Sequence, residues 1–353
     1  MGTLKPAGAL SLPRHIATIV LTLTWLALPI ASQAALPPAE SSPPIERSPA
    51  ATEQGTALAT LSIKVGDEII PYPVFAIYLM PGERRSIEPV LETQTSRFEV
   101  AAAGGTLESV DSQLLGDGEQ AWLWTAPDTP GVYPLTVRRS DDSVMMTVHA
   151  FVMTPASDVI NGRLNGYRLG GYPQQALRGQ AIYDPPEGFV EVTDANRDTR
   201  ISPHFTLGEF VAKQRSDYPK YVALRERLLL KLEMIVEQLA EAGYQASGLH
   251  IMSGFRTPWY NASIGNVPYS RHVWGGAADI FVDEAPKDGV MDDLNGDGRI
   301  DVADARVIYN LIETLSQERW YQPFVGGMGL YGPKPGVRGP FVHVDVRGFR
   351  ARW

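Results

Sequence analysis

Apolar residues recur along this chain with two different periods, and the change of period divides it. Between Ala57 and about Thr154 the period is two: Leu61, Ile63 and Val65 occupy alternate positions, as do Trp122 and Trp124, and Met146, Val148 and Ala150. Successive side chains of a strand point to opposite faces, so this stretch predicts short, half-buried β-strands. Turn residues separate them at Gly66-Asp67, Pro81-Gly82, Gly104-Gly105, Gly116-Asp117-Gly118 and Pro130-Gly131. From Pro219 to Gly243 the period is helical. Leu228, Leu232, Ile235 and Leu239 are four, three and four apart, charged residues fill the other side, and Gly243 supplies a stop. Leu249-His-Ile-Met252 then predicts a short strand, and Ile280-Phe281-Val282 a buried one. Val307, Ile308, Leu311, Ile312 and Leu315 predict a second helix, and Phe341 to Val346 the last strand.

The N-terminus is patterned differently. Lys5 and Arg14 precede an uncharged run from Ile16 to Ile30, and Ser32-Gln33-Ala34 offers small residues at a cleavage position. Residues 1–34 therefore predict a secretory signal peptide, with an uncleaved anchor as the alternative; the apolar run is short for a membrane span. Residues 35–56 hold Pro37, Pro38, Pro43, Pro44 and Pro49 among Ser, Ala and Glu, the composition of an extended linker or, equally, of a plain disordered tail. The 353 residues suffice for two domains, and the absence of cysteine excludes a disulfide framework, a lipobox and thiolate metal ligands. Together these features point to a bacterial protein secreted across the inner membrane, periplasmic or in the cell envelope. Its formal charge is −9, and losing Lys5 and Arg14 with the leader makes it more acidic still. An acidic surface argues against nucleic acid and against docking on anionic lipid once the signal is cleaved. Substrate attraction must then come from a metal and local arginines. The sequence leaves the oligomeric state open.

Residues 57–154, with several short strands and no catalytic cluster, have the size of an immunoglobulin-like sandwich, and Trp124 to Val137 resembles the late hairpin of that fold. His149 lies in an alternating strand and reads as a packed or exposed residue. Residues 155–200, rich in Gly, Tyr and Pro, read as an ordered connection. Asp194 to Ser202 imitates the start of a calcium loop, but the twelfth position is Phe205, so a polar turn is expected.

Candidate chemistry concentrates near the C-terminus. Ser270-Arg-His272-Val-Trp-Gly-Gly-Ala-Ala-Asp279-Ile is to be read with Phe341-Val-His343-Val-Asp345. His272, Asp279 and His343 offer two imidazoles and a carboxylate, a set that suits Zn²⁺ and leaves one coordination position open. Gly275, Gly276, Ala277 and Ala278 allow a tight turn between the first His and the Asp.

Ser-x-His-x-x-Gly-x-Ala-x-Asp-Ile followed by a late Val-His-Val-Asp strand resembles the zinc D-Ala-D-Ala metallopeptidases. This group of D,D-carboxypeptidases, murein endopeptidases and phage endolysins shares its metal site with lysostaphin-type enzymes. The resemblance covers residues 201–353 and extends to Ser202-Pro-His-Phe-Thr-Leu-Gly-Glu-Phe210 and Ser253-Gly-Phe-Arg256-Thr-Pro-Trp-Tyr260-Asn261. It implies an α+β zinc peptidase domain with a small antiparallel sheet, preceded by the all-β immunoglobulin-like sandwich. It also implies that Arg256 faces a peptidoglycan peptide, forking onto a carboxylate or stabilising an oxyanion. Ser270 and Tyr260 are expected beside it, Ser270 bonding substrate or shaping its turn and Tyr260 supporting the loop. The sequence departs from the better-known members at the general base: Pro340 and Phe341 stand where an acid or a histidine precedes the last ligand. Asp345 then has two readings, proton shuttle or partner orienting a ligand, and His204 is a weaker candidate for the shuttle. A non-catalytic, zinc- and calcium-stabilised cell-wall-binding protein is the competing class.

Residues 293–304 form an apparent insertion. Asp293, Asn295, Asp297, Asp301 and Asp304 fall at positions 1, 3, 5, 9 and 12 of a calcium loop, Gly298 at 6, and Arg299 offers its carbonyl at 7. A structural Ca²⁺ is expected, in a loop that resembles a dockerin's. The paired repeat is missing, so no cohesin partner is inferred.

Overall fold

The computed structural model describes residues 61–90, 96–110 and 120–353. The expected leader and linker, and the turn at Gly116-Asp117-Gly118, lie outside the described residues.

The alternating stretch folds into two sheets. Its strands are β1 (Ser62–Val65), β2 (Glu68–Ile70), β3 (Val74–Leu79), β4 (Arg84–Val90), β5 (Phe98–Ala102), β6 (Thr106–Ser109), β7 (Trp122–Thr125), β8 (Gly131–Arg139) and β9 (Met145–Val152). One sheet has the order β2-β1-β4-β7-β6; the other is β3-β9-β8-β5, with β3 and β9 parallel. Ile63, Ile87 and Trp124 of the first, and Phe75, Leu135, Val137 and Val148 of the second, are fully inaccessible and join one apolar cluster. The indole of Trp124 donates to the Gly104 carbonyl at 2.9 Å. A Cβ on the neighbouring Gly105, at φ +75°, would stand 2.2 Å from the Thr125 carbonyl oxygen, so only glycine fits.

Trp124 to Val137 is not the hairpin that the sequence predicts. β7 pairs with β4 and β6, whereas β8 pairs with β5 and β9. Pro127 and Pro130, which have no N–H to give a ladder, occupy the connection, and the chain crosses there from one sheet to the other. The hairpin is β8–β9.

The long helix also differs from its periodicity. Lys220–Val222 pairs as a strand with Gly188–Val192, so α1 begins at Glu226 and runs to Glu241. Every residue from Leu228 to Val236 is buried, Lys231 and Glu233 included. The reason is that α1 is covered on two sides. At its start Glu226 accepts the Tyr78 N–H at 3.0 Å and Arg227 pairs with Glu68 at 2.5 Å. Further along it packs on α3 (Val302–Leu315). The apolar core is therefore continuous from the two sheets into the C-terminal region.

The connection between these regions is pinned by aromatic residues. Tyr172 donates its hydroxyl to the Val273 carbonyl at 2.9 Å, Trp274 donates its indole N–H to the Asp184 carbonyl at 3.0 Å, and Tyr172 and Tyr183 both meet Trp274 edge-on. In the turn after Asp194, Asn196 accepts the Thr193 N–H and donates to the Glu191 carbonyl. The C-terminal sheet has the order His250–Ser253, Ala277–Phe281, Phe341–Asp345, Gly327–Tyr331, Ala351–Arg352, antiparallel except for the last pair. The Ala277–Phe281 and Phe341–Asp345 strands are buried along their whole length. No described helix is long and apolar enough to cross a membrane.

Candidate metal centre

Strand register builds half of the site. Asp279 stands directly opposite His343 in an antiparallel pair, and residues so opposed share a face. His272 comes from a separate element, the 3-10 turn Arg271–Trp274, which ends on Gly275 at φ +64°. A Cβ at Gly275 would stand 2.2 Å from the Ala223 carbonyl oxygen, so glycine is obligatory there.

His272 donates its Nδ1–H to the Gly254 carbonyl at 2.7 Å, which leaves Nε2 bare. That nitrogen lies 3.2 Å from Asp279 Oδ1 and 3.1 Å from His343 Nδ1, and the last two atoms are 2.9 Å apart. Tetrahedral ligands about 2.0 Å from a zinc ion stand roughly 3.3 Å from one another. The triangle is close to one face of that tetrahedron, and the residues present fit the metal. Among the described residues it is the one group of His, Asp or Glu whose ligand atoms converge in this way.

Burial opposes charge on all three residues. At Asp279 the two imidazoles outweigh it and hold the carboxyl well below the usual carboxylate range. At His272 burial dominates and lowers the imidazole's pKa. At His343 burial is overcome by hydrogen bonds to Asp279 and Asp345, which raise it. A charged carboxylate and a neutral His272 are the forms in which these groups bind metal.

Asp345 lies on the far side of the His343 ring. It accepts the His343 Nε2–H at 3.3 Å, opposite the nitrogen that faces Asp279. Its carboxylate, fully inaccessible, also accepts the Gly327 N–H at 2.7 Å and the Arg347 N–H at 3.0 Å. Burial alone would raise its pKa, but His343 and Arg347 hold it well below the carboxylate range. Its oxygens are engaged by His343, Gly327 and Arg347, and Asp345 does not line the cavity described below. Behind it, Lys231 of α1 donates to the Asp345 and Phe324 carbonyls at 2.9 and 3.0 Å, and burial pushes its pKa down to about 7. Sequence reasoning passed over Lys231. Its position inside Leu228-Leu-Leu-Lys231-Leu-Glu-Met234 is the signal that marks a lysine with no solvent-facing side.

Arg256 reaches the site. Its backbone N–H donates to the His272 carbonyl at 3.1 Å, its Nε–H to Ser253 Oγ at 2.8 Å, and its Nη2 to Asp279 Oδ2. Arg256 and Ser270 both line a cavity of about 760 Å³ that opens over the three ligand candidates. Tyr260, expected beside Arg256 and supporting its loop, is absent from that lining; on α2 (Pro258–Ser263) it is partly buried and packs against the apolar core. His204 pairs with Glu233, His250 with Asp283, and His149 with the Arg200 carbonyl; none of them joins the site.

The 293–304 loop satisfies itself. Asp293 accepts the N–H groups of Gly296, Asp297 and Gly298, Asn295 that of Asp297, and Asp297 that of Arg299. Asp301 caps α3 through the Ala303 N–H, and buried Asp304 accepts from Leu294, Asn295 and Asp301. Its acids do not converge as the His272–Asp279–His343 group does.

Solved structures similar to parts of this chain include the adhesin InvE of Yersinia pseudotuberculosis, 14% identical over 23% of this chain and 25% of that one, with a TM-score of 0.18. Domains 4 and 5 of the S-layer protein SbsC are 17% identical over 25% of this chain and 50% of theirs, with a TM-score of 0.19. A longer SbsC structure is 17% identical over 26% of this chain and 13% of its own, with a TM-score of 0.20. The chain thus spans half or less of the length of these structures. No curated protein matches it. Residues 203–299 match the family Peptidase M15, a span that holds Arg256, His272 and Asp279 and ends ahead of His343. With two of the three converging ligands inside that match, the C-terminal region carries a domain of the zinc D-Ala-D-Ala peptidase family, Peptidase M15.

Proposed function

We propose that the protein is an exported zinc peptidase acting on the peptides of peptidoglycan, trimming stems as a D-Ala-D-Ala carboxypeptidase or cutting cross-bridges as a murein endopeptidase. The observation that carries this reading is the triangle of His272, Asp279 and His343 at a cavity within a peptidase domain. Zinc in such a site polarises a carbonyl and lowers the pKa of water. The chain's own groups have separate tasks. Arg256, fixed by Asp279 and Ser253, presents its guanidinium to a substrate carboxylate or to a carbonyl oxygen gaining charge. Ser270 offers a hydroxyl on the same wall. Asp345 keeps the proton of His343 on Nε2. Trp353, with its ring centre 5.2 Å from that of His343, walls one side of the cavity.

One observation favours a second reading, a wall-binding protein that does not hydrolyse. Among the described residues lining the cavity there is no Asp, Glu or His besides the three ligand candidates, so no further carboxylate or imidazole stands ready as general base. The two-sheet region, as an immunoglobulin-like spacer or recognition platform, and a structural Ca²⁺ in the 293–304 loop belong to either reading. The test is to incubate the zinc-loaded mature protein with purified peptidoglycan and resolve the muropeptides by mass spectrometry, with His343→Ala as control. Loss of terminal alanine identifies a carboxypeptidase, and conversion of dimers to monomers an endopeptidase. Identical profiles for the two proteins would leave the binding reading in its place.

A further inference from the structure

Five cations, Arg256, Arg271, Lys334, Arg338 and Arg347, line the cavity of a protein whose net charge is −9. Two of them are engaged by acids, Arg256 by Asp279 and Arg347 by Asp345. Arg271 is sealed: only 1% exposed, it donates to the Ile182 carbonyl and lies against the Tyr183 and Trp274 rings. Lys334 and Arg338 remain, and among the described residues neither has a carboxylate within ion-pair distance.

Their placement follows from a hairpin tip. Lys334-Pro335-Gly336-Val337 has proline second, glycine third at φ +70°, and the Val337 N–H donating to the Lys334 carbonyl at 3.0 Å, the pattern of a type II turn. The next pair closes it: Lys334 N–H donates to the Arg338 carbonyl at 2.8 Å and Arg338 N–H to the Lys334 carbonyl at 3.0 Å. Residues that exchange both hydrogen bonds stand directly opposite, with their side chains on one face, and like charges so placed destabilise a hairpin. Arg338 is also held in place. Its Nη1–H donates to the Gly332 carbonyl at 2.6 Å and its guanidinium lies 4.6 Å over the Phe341 ring, while Nε and Nη2 make no hydrogen bond among the described residues. Phe341 precedes His343 by two residues on the same strand face, about 7 Å along the strand. A fixed, half-free guanidinium thus stands one side chain from a ligand candidate, and Lys334, opposite it in the hairpin, lines the same cavity.

We infer that Lys334 and Arg338 clamp a free carboxylate of the substrate, within about two residues of the bond to be cut, so that the site selects acidic peptides. The inference rests on the peptidase reading, which it narrows. Two synthetic peptides of one sequence, with that carboxylate free or amidated, test it on the zinc-loaded mature protein. Fluorescence anisotropy within the mixing time reads binding, and mass spectrometry of the same mixtures after hours reads cleavage. The acid is expected to bind roughly tenfold tighter than the amide, as a charge-assisted fork implies, and the preference to shrink in high salt. Lys334→Glu, a change at an exposed tip, and Arg338→Gln should each bring the ratio near one, with Arg338→Lys retaining part of it. Equal binding of acid and amide by the wild type, no binding of either, or a ratio that survives both variants overturns the inference. A preference lost in Lys334→Glu without cleavage of either peptide keeps the clamp and removes the peptidase; cleavage of both peptides at equal affinity does the reverse.

Discussion

His272 and Asp279 are separated by 7 residues and Asp279 and His343 by 64, yet their ligand atoms meet within 3.2 Å. Asp293 to Asp304 hold their oxygens in twelve consecutive positions, and those oxygens do not converge in the same way. The difference lies in what satisfies each carboxylate. In the loop, backbone N–H groups bond the acids as Asx turns do, and the chain alone completes the arrangement. At Asp279 no described backbone N–H reaches the carboxylate, and two imidazole nitrogens face it in a buried place. A contiguous pattern of acids is compatible with a turn that needs no ion. A convergent one, assembled from distant strands, gathers two imidazole nitrogens and one carboxylate oxygen on a single point, where a cation can bind, while Arg256 takes the other oxygen.

The comparison is broken most forcefully at the convergent site. His343→Ala should abolish stoichiometric zinc, read by plasma emission, and lower hydrolysis by more than the roughly 10- to 100-fold typical of losing an outer partner. Asp345→Asn tests that outer partner, and zinc affinity should fall within the same 10- to 100-fold range. At the loop, Asp304→Ala strips the acceptor from three N–H groups and should cost about 2–3 kcal/mol in urea unfolding, with zinc content unchanged. If a calcium-selective chelator lowers the wild-type Tm as much as this substitution does, the loop is an ion site as well and the contrast collapses. The smallest effect concerns Lys231. Its pKa is about 7 in the fold against 10.5 for an ordinary lysine. Between those values the unfolded chain binds the extra proton, so this lysine makes stability rise with pH from about 7 towards 10. Urea midpoints at pH 7 and 9 should show that rise in the wild type and less of it in Lys231→Met; equal slopes would refute it.

Much of the site was legible because a short run carries its own geometry. His272, Gly275 and Asp279 lie in one motif, and the apolar strand with His343 announces the partner. The rest depended on contacts that periodicity does not encode. Tyr260 follows the match in sequence, but on α2 it packs against the core and does not line the cavity. Lys220–Val222 has residues that suit either helix or strand, and a neighbour at Gly188–Val192 decides between them. Two prolines before β8 were visible, but whether they make a turn or a crossing depends on which strands lie alongside. Lys231 escaped because a helix with one covered side looks the same, residue by residue, as a helix covered on two.

The opposition of Asp279 and His343 also bears on how such a domain can change over evolutionary time. Slipping either strand by one residue would turn its ligand to the other face and dismantle the centre. The chain between Phe281 and Gly327, which includes the 293–304 loop and α3, takes no part in that strand pairing and has no such restriction as long as it returns in phase to the Gly327–Tyr331 strand. That excursion is a socket: segments can be grafted, lengthened or replaced there while the two strands keep the chemistry in register.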